Sequence, residues 1–573
     1  MNLKSFFSRS FWEKFWEVLS PIERKILKGA LVVLVFCLIY FLIKWYYTST
    51  ILVPKDGGIL REGLTNQPTS LNPILSQNEV DQDLTSLVFS GILKSDGKGG
   101  LQNDLADSVE RSPDGKIWTV KLKQDVFWQD GEQLTADDVV FTIKSIQDQE
   151  SRSPWRLSWQ GVTVTKLDDF TVNFELKNPF AFFKEKLKQK IIPQHIFGSP
   201  IPLTNLYLSD YNFQPVGSGP YIFEKFEKGK SGFINYYQFK ANPNYFLGRP
   251  HIDKIIVKFY KSEPELITAF NHREIDLLSG VNIRSLDSIT RSFKEEEITL
   301  PRYFAVFFNQ SISKVLSDKN VRYALNYAVN RLELIDKVFQ GKAQSVEGPI
   351  LPGMIGYDSA LNFEYSLDKA VSILEKAGWS DGNGDGILEK KLNKNDSAAT
   401  PLSFKLVSPE SPGLIETASI LKNQWLKIGV NVDIQIVSAL ELQQNYLEPR
   451  VYDALIYGNI LNQNPDPFQF WHSSQKFHPG FNLALYENAA VDKVLEDFRQ
   501  IFDPQIQAAD LKKFQSFILV DAPAVFLFNP QYPIISAKNI YLTEVSKLNI
   551  ASERYFDVQN WYVKTQRAFK TAN

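Results

Sequence analysis

The stretch that decides the fold runs from Leu105 to Ile143 and reads LADSVERSPDGKIWTVKLKQDVFWQDGEQLTADDVVFTI. Within it, residues 116–128 alternate apolar and polar side chains, which is typical of a β-strand with one buried face. The Pro-Asp-Gly sequence at 113–115 indicates a tight turn before this strand. Two acids, Asp137 and Asp138, then open a segment with helical spacing, where negative charge is favoured by the helix dipole. A turn, a strand and a helix in this order predict an α/β protein.

Strand and helix patterns alternate along the rest of the chain. Apolar residues with helical spacing cover residues 320–339, with Asp318 as the expected N-cap and Gly341 as the expected stop. A second helix followed by a strand is predicted at 416–437. Together with the alternating strand TVNFEL at 171–176, this order predicts α/β lobes with mixed sheets.

Length, charge and composition bound the class of protein. A chain of 573 residues is long enough for two or three domains, and a net charge of −2 with interspersed signs does not indicate a nucleic-acid binder. Aromatic residues make up 13% of the chain, which suits a cleft for an organic ligand as well as a large core. The single cysteine, Cys37, excludes an internal disulfide and a cysteine-based zinc site.

An uncharged apolar segment at 29–43, GALVVLVFCLIYFLI, predicts a membrane anchor. With Lys28 and Lys44 snorkelling and the aromatic residues that follow, it reaches the roughly twenty residues that a bilayer requires. Basic residues are denser before it than after it, which places the N-terminus in the cytoplasm and the bulk of the chain outside. We therefore assign three segments: a cytoplasmic amphipathic segment at 1–25, a transmembrane anchor at 26–47 and a linker at 48–57.

Alternatives remain open for this N-terminal region. A cleaved signal peptide also has an apolar core, but the segment before it is long and aromatic, and no A-x-A-like site follows. The stretch SFFSRSFWEKFWEVL at 5–19 fits a helix on the inner membrane face or a helix that binds a partner protein. Lipid attachment at Cys37 is disfavoured, because Val35 and Phe36 stand where a lipobox has small residues.

Several further blocks follow one another along the chain. They read LTNQPTSLNPILSQNEVDQDLTSLVFSGIL, IIPQHIF, PVGSGPYIFEKF, ANPNYFLGRPHIDKIIVKFY, FNHREIDLL, VRYALNYAVNRLELI and AGWSDGNGDGILE. Together with the stretch at 105–143, this ordered set resembles the family 5 extracytoplasmic solute-binding proteins of ABC transporters, the group that contains oligopeptide- and dipeptide-binding proteins. The resemblance covers nearly all of residues 58–565.

The resemblance implies a particular fold. Family members have a two-lobed periplasmic-binding-protein fold of the type II-like, large-cluster kind, with mixed sheets and a hinge between the lobes. On this basis we expect residues 58–303 plus 525–565 to form lobe I and residues 304–524 to form lobe II. A ligand would be enclosed as the two lobes close around it.

The resemblance also directs attention to the loop at 452–475, YDALIYGNILNQNPDPFQFWHSSQ. Peptide-binding members typically carry an Asp here that pairs with the α-amino group of the peptide. In this chain Asn462 falls at or near that position, and Asp466 is the alternative carboxylate. The residues that we expect to contact the ligand are Thr65, Asn66, Asn72, Tyr457, Asn459, Asn462, Asp466 and Trp471, with core packing as the alternative role for Tyr457 and Trp471.

The stretch DGNGDGILEK at 381–390 has two interpretations. It places side-chain oxygens at the first, third, fifth and ninth positions of an EF-hand-like loop, through Asp381, Asn383, Asp385 and Glu389. Leu392 stands at the twelfth position, where such a loop needs a bidentate carboxylate. The loop is therefore either a weak structural calcium site or a glycine-rich surface turn after a helix, which is common in the family.

Enzyme motifs are missing from the sequence. The histidines show no HExxH or other metal-ligand spacing, and PVGSGPY is not a G-x-S-x-G nucleophile motif. His472, beside Trp471, is either a cleft residue or a packed one. We therefore expect no catalytic residues, no cofactor other than the possible calcium, and no enzymatic activity.

The sequence and the resemblance together predict a membrane-anchored, monomeric receptor that captures an oligopeptide, or another organic solute, and delivers it to an ABC permease for import. Two alternatives use the same fold. One is a ligand-occupancy sensor or interaction protein, with the anchor transmitting occupancy; the other is an oligosaccharide-binding protein.

Overall fold

The computed structural model describes residues 9–198, 203–394 and 396–570. The described residues form two compact units, one from residues 9–57 with 562–570 and the other from the described part of residues 58–561. The start of the predicted amphipathic stretch, residues 5–8, lies outside the described residues.

Helices and strands alternate along the described residues. The helices are α1 (Arg9–Val18), α2 (Pro21–Ser49), α3 (Glu79–Val88), α4 (Ala136–Gln147), α5 (Arg156–Trp159), α6 (Phe183–Lys186), α7 (Gln194–Phe197), α8 (Glu263–Asn271), α9 (Lys319–Tyr327), α10 (Arg331–Phe339), α11 (Leu367–Lys376), α12 (Pro412–Leu426), α13 (Ala439–Glu441), α14 (Phe468–Trp471), α15 (Ala489–Phe498) and α16 (Pro504–Asp521). The strands are β1 (Thr50–Lys55), β2 (Ile59–Thr65), β3 (Leu93–Ser95), β4 (Leu101–Asn103), β5 (Ala106–Arg111), β6 (Ile117–Leu122), β7 (Val162–Asp168), β8 (Thr171–Leu176), β9 (Tyr221–Lys228), β10 (Ile234–Ala241), β11 (Lys254–Tyr260), β12 (Leu277–Ser279), β13 (Phe293–Thr299), β14 (Arg302–Phe308), β15 (Ala343–Ser345), β16 (Glu389–Lys390), β17 (Thr400–Pro401), β18 (Ser403–Pro409), β19 (Asn431–Val437), β20 (Ala454–Ile460), β21 (Ala524–Ala537) and β22 (Lys564–Phe569).

The first unit is built on the long helix α2. Ser20 caps its N-terminus by accepting the Glu23 N–H, and the Glu23 carboxylate accepts the Ser20 N–H in return, so two otherwise free donors are satisfied. None of the side chains of α2 is buried. By length and composition the helix can cross a membrane, and it contains the whole of the predicted anchor at 26–47.

The two ends of the chain meet in this first unit. Strand β1 directly follows α2 and pairs antiparallel with β22, from Thr50 opposite Phe569 to Lys55 opposite Lys564. Within the predicted linker at 48–57, the first two residues end α2 and the next six form β1, and the linker assignment stays a prediction. The end of the predicted first lobe at 565 also falls inside β22. No local pattern shows this pairing, because the partner strand lies at the other end of the chain.

A long mixed sheet dominates the second unit. Its strands lie in the order β19-β18-β20-β14-β21-β12-β2-β11-β10-β9, with β13 and β15 also pairing with β21. Parallel pairs such as β18 with β19 stand beside antiparallel pairs such as β14 with β20. Successive residues of β14 point alternately into two apolar cores, one on each face of the sheet. Helices α9 to α12 pack on one of these cores and α14 to α16 on the other, so helices cover both faces of the sheet. The predicted α/β fold with mixed sheets is confirmed.

Strand β21 joins the two halves of this sheet. Its residues 524–530 pair with β14 and β15, whereas residues 531–537 pair with β12 and β13. Nearly every residue of the strand is buried. The predicted lobe boundary at 525 therefore cuts through a strand whose first half pairs with elements assigned to lobe II, and the remaining lobe boundaries stay a prediction.

The stretch at 105–143 folds largely as its pattern predicts. β5 and β6 form a hairpin across the turn at 113–115, where Gly115 has a φ of +73°. The strand ends at Leu122 and not at Trp128, because the chain turns away after it. At the start of α4 the Thr135 N–H donates to the Asp138 carboxylate, which confirms that the paired acids belong to a helix N-terminus.

The segment at 320–339 is two helices rather than one. Asp318 caps α9, as expected, by accepting the Asn320 N–H. The helix stops at Tyr327, and Asn330 starts α10 by accepting the Glu333 N–H. Both helices bury their apolar residues in one core, so the helical spacing continues across the break and hides it.

Candidate functional site

The second unit contains a cavity of about 1400 Å³. Its lining residues fall into two sets: the first wall comes from segments between residues 73 and 245 together with residues 550–559, and the second wall comes from residues 460–499. Two sets of segments that are remote in sequence thus enclose one space. A cavity of this kind between two walls is the geometry of a ligand-binding cleft.

Helix α3 supplies part of the first wall. Asn78 caps it by accepting the Asp81 N–H, and the Asp81 carboxylate accepts the Thr69 N–H at 2.7 Å, which fixes the preceding loop. The residues that α3 presents to the cavity are polar and lie at helical spacing: Gln82, Thr85 and Ser86. These side chains can exchange hydrogen bonds with a polar ligand.

A buried ion group holds α3 in place. The Arg554 guanidinium lies 2.6 Å from the Asp83 carboxylate on α3 and 3.0 Å from the Glu62 carboxylate on β2, and all three side chains are at most 1% exposed. Burial raises the pKa of Asp83 to about 7, against the lowering effect of the Arg554 charge. Removing Arg554 would leave two carboxylates buried without their cation.

The second wall carries an ion pair next to the cavity. The Asp466 carboxylate lies 3.0 Å from Nε of Arg499, and the Arg499 guanidinium lies over the rings of Phe180 and Phe468. Burial raises the pKa of the Asp466 carboxyl, and the Arg499 charge opposes that shift. The negative charge of Asp466 is therefore already balanced within the protein.

Asn462 and Asp466 both line the cavity. The side chain of Asn462 is exposed, and its amide makes no hydrogen bond to any residue that the structure describes. It can therefore donate to or accept from a ligand. The role of these two residues in ligand contact stays a prediction.

Four other predicted residues lie away from the cavity lining and have other partners. Asn72 is buried and donates to the Asn212 amide oxygen at 3.0 Å, and Asn459 is buried and donates to the Tyr303 hydroxyl at 3.0 Å. Trp471 is buried against the rings of the core beneath β14, and Tyr457 packs on the same core. Trp471 therefore has the core-packing position that was given as its alternative role, because its ring fills space between the sheet and helices α15 and α16.

Thr65 ends the strand β2 and Asn66 follows it, and neither residue lines the cavity. Asn66 has a φ of +68°, and its N–H donates to the Tyr260 carbonyl at 2.9 Å. Asn tolerates this left-handed conformation better than most residues, so its backbone role accounts for its presence.

Sequence reasoning missed the charged and aromatic side chains of the cavity. They are Lys94, Lys186, Lys188, Lys190, Tyr245, Trp155, Trp159, Phe180 and Phe182. Burial lowers the pKa of Lys186 to about 8, whereas Lys188 pairs with Glu185 and Glu553 at 3.0 and 2.7 Å. Their segment, FFKEKLKQK, reads as a solvated charge run, and only tertiary packing turns it toward the cavity.

His472 is packed rather than free. Its ring stacks on Phe468 at 4.1 Å between centroids, and its Nε2 lies 3.4 Å from the Glu496 carboxylate. It is not among the residues that line the cavity. The sequence PVGSGPY is a site of close backbone packing, because a Cβ atom at Gly217 would collide with the Val88 carbonyl oxygen.

The loop at 381–390 shows the glycine-rich turn. The Asp381 carboxylate accepts the N–H groups of Gly384 and Gly386, and Asn383 accepts the N–H of Asp385. In the part of the chain that the structure describes, no group of three or more His, Cys, Asp or Glu residues is placed to hold a metal ion. The calcium interpretation through Asp381, Asn383, Asp385 and Glu389 stays a prediction.

A mixed sheet with helices on both faces and a large cavity between two walls defines the class of two-lobed solute-binding proteins. Comparison with known proteins narrows the class. The model of the family described as "Bacterial extracellular solute-binding proteins, family 5 Middle" matches residues 100–480, and the chain belongs to this family.

Individual relatives agree with this assignment. The chain is 29% identical over 523 residues to the oligopeptide-binding protein AppA of Bacillus subtilis, which covers 89% of this chain and 92% of AppA. The structure of that AppA with a nonapeptide aligns with a TM-score of 0.73 at 28% identity, covering 89% of this chain and 100% of AppA. NikZ of Campylobacter jejuni in complex with Ni(L-His) aligns with the same TM-score at 25% identity, covering 89% of this chain and 100% of NikZ.

Proposed function

We propose that this protein captures oligopeptides in the cavity and delivers them to an ABC permease for import. The observation that carries the proposal is the size of the cavity, about 1400 Å³. Sites for drug-sized ligands occupy roughly 300–1,000 Å³, so this space suits a longer, extended ligand. The relationship to AppA, which is solved with a nonapeptide, supports the same ligand class.

The chemistry of the walls suits an extended peptide. Polar side chains on α3 can bond to its main chain, and the aromatic residues of the cavity can pack on its side chains. Asp466 is neutralised by Arg499, and Asn462 offers only a neutral amide to an ammonium group. We therefore expect the protein to bind peptides without strong preference for a free N-terminus.

We place the protein in the cell membrane with its N-terminus in the cytoplasm and the body outside. Helix α2 is long and apolar enough to span a bilayer and has no buried side chains. The chain that follows it pairs with the C-terminal strand instead of forming an open segment for a signal peptidase. An uncleaved anchor would leave a mature protein of 65.6 kDa in the membrane fraction.

The test is mass spectrometry of the ligand that denaturation releases from the full chain, purified in detergent from a bacterial host. We expect a set of short peptides. Release of oligosaccharides, or of no ligand by a chain that also fails to bind added peptides, would refute peptide capture. The intact mass of the same preparation shows whether the N-terminal segment is retained.

Delivery to a permease has a separate test. Deleting the protein from its bacterium should abolish uptake of a labelled peptide, and the full chain should restore it. Unchanged uptake in the deletion strain, with peptide binding intact in the purified protein, would contradict the transport role.

A further inference from the structure

The ribbon formed by β1 and β22 directly follows α2 and exposes apolar side chains beside the aromatic end of that helix. In an antiparallel ladder, residues directly opposite each other share a face and successive residues alternate between faces. One face carries Leu52 and Phe569, with 55% and 59% of each side chain exposed. Exposed apolar residues that cluster on one surface indicate a site for an apolar partner or a membrane.

The same face joins the aromatic residues at the end of α2. The Phe569 ring lies 5.7 Å from Trp45 and 6.4 Å from Tyr46 between centroids. The Arg567 guanidinium lies 4.2 Å from the centre of the Tyr47 ring, and Arg567 donates to the Thr50 hydroxyl at 3.0 Å. The C-terminal strand thus contributes one aromatic and one cationic side chain to the aromatic belt of the helix.

The opposite face is mixed. Lys55 lies directly opposite Lys564 in the ladder, and Lys570 follows in the same alternation just beyond the strand, whereas Ile51, Val53 and Ala568 on this face are apolar. The cation on the same face as Leu52 and Phe569 is Arg567, and apolar side chains beside a cation suit the boundary between lipid chains and anionic headgroups.

Helix length places the ribbon at that boundary. Roughly twenty helical residues cross a bilayer core of about 30 Å. Counted from Lys28, these residues end near Thr48. Strand β1 begins at Thr50, immediately after the C-terminal end of α2. Trp and Tyr residues at 45–47 stand where such residues favour the membrane interface.

We propose that the β1–β22 ribbon binds the outer surface of the lipid bilayer, with Leu52 and Phe569 immersed at the level of the lipid headgroups and Arg567 among their phosphates. The ribbon is a second, C-terminal membrane contact beside the helix. This proposal rests on the membrane-spanning role of α2 and is independent of which ligand the cavity holds.

The experiment uses the full chain in vesicles of phosphatidylcholine and phosphatidylglycerol with nitroxide labels on single cysteines. Labels replace Leu52 or Phe569 in a Cys37→Ala background, as Leu52→Cys and Phe569→Cys, and each variant keeps the other apolar residue. Gln566→Cys, exposed on the opposite face of the same strand, is the matched control. The measurement is the ratio of collisions with oxygen to collisions with a water-soluble nickel chelate.

We expect this ratio to be several-fold higher at 52 and 569 than at 566, and to rise further as phosphatidylglycerol is increased. Equal ratios at the three positions would overturn the proposal. A label on the native Cys37 reports separately on the helix. A label deep in the bilayer at Cys37 with aqueous labels at 52 and 569 would refute membrane contact by the ribbon alone. An aqueous label at Cys37 would refute both the membrane-spanning role of the helix and membrane contact by the ribbon. Neither outcome affects the peptide-release test.

Discussion

Two ion groups beside the cavity differ in their access to solvent. Behind α3, in the first wall, Arg554, Asp83 and Glu62 are sealed from solvent. In the second wall Asp466 and Arg499 are 20% and 33% exposed and line the cavity. A charge group that solvent and ligand cannot reach holds an element in place, whereas one that borders the cavity can respond to the ligand. The contrast separates a structural ion group from one that can contribute to ligand selection.

The largest expected effect comes from breaking the sealed group. Arg554→Met should destabilise the second unit by about 3–5 kcal/mol, because Asp83 and Glu62 would stay buried without their cation. Chemical denaturation followed by tryptophan fluorescence measures the change. Lys493→Gln, which removes an exposed pair with Asp497, is the control and should leave the midpoint near that of the parent chain. A loss in Arg554→Met as small as that of the control would show that the group does not hold the wall.

The backbone of the first wall offers a second test. Gly217→Ala should cost about 1–3 kcal/mol, because the added Cβ would meet the Val88 carbonyl oxygen at the end of α3. Gly413→Ala is the matched control, since its added Cβ meets only Val338 at 3.6 Å. Thermal unfolding of the two variants compares them. Equal stability would mean that α3 can shift freely and that the first wall is not rigid.

Ligand selection should change when the second wall loses its cation. Arg499→Gln frees the Asp466 carboxylate, so a peptide with a free amino group should gain about tenfold in affinity over its N-acetylated form. Asp466→Asn is the converse variant and should show no such preference. Calorimetric titration with the two forms of one peptide gives the ratio. An unchanged ratio in Arg499→Gln would place the peptide N-terminus away from Asp466.

The smallest expected effect concerns the loop at 381–390, which lies outside both walls. Millimolar calcium should shift Tm by less than about 1 °C, because the turn is already held by hydrogen bonds from its side chains to its own backbone. Differential scanning calorimetry with calcium and with a chelator measures the shift. A rise of several degrees would restore the calcium interpretation.

Local patterns predicted many of the elements correctly. The turn at 113–115, the start of α4 and the N-cap Asp318 depend on side chains within four residues of the backbone groups that they satisfy. The break at Asn330 was missed because both helices bury one continuous apolar stripe. For the candidate site, Asn462 and Asp466 were placed on the cavity, but Asn72, Asn459 and Trp471 have protein partners that no local pattern shows.

The sequence by itself determined the α/β class, the apolar helix and the family, because periodicity, hydrophobic length and ordered motifs are properties of neighbouring residues. Only the tertiary structure decided which charges face the cavity, how β21 is shared between the two halves of the sheet, and that the C-terminal strand returns to the end of α2. The physical reason is that these features are contacts between segments separated by hundreds of residues. Their free energy comes from packing and hydrogen bonding across the fold, which local spacing does not encode.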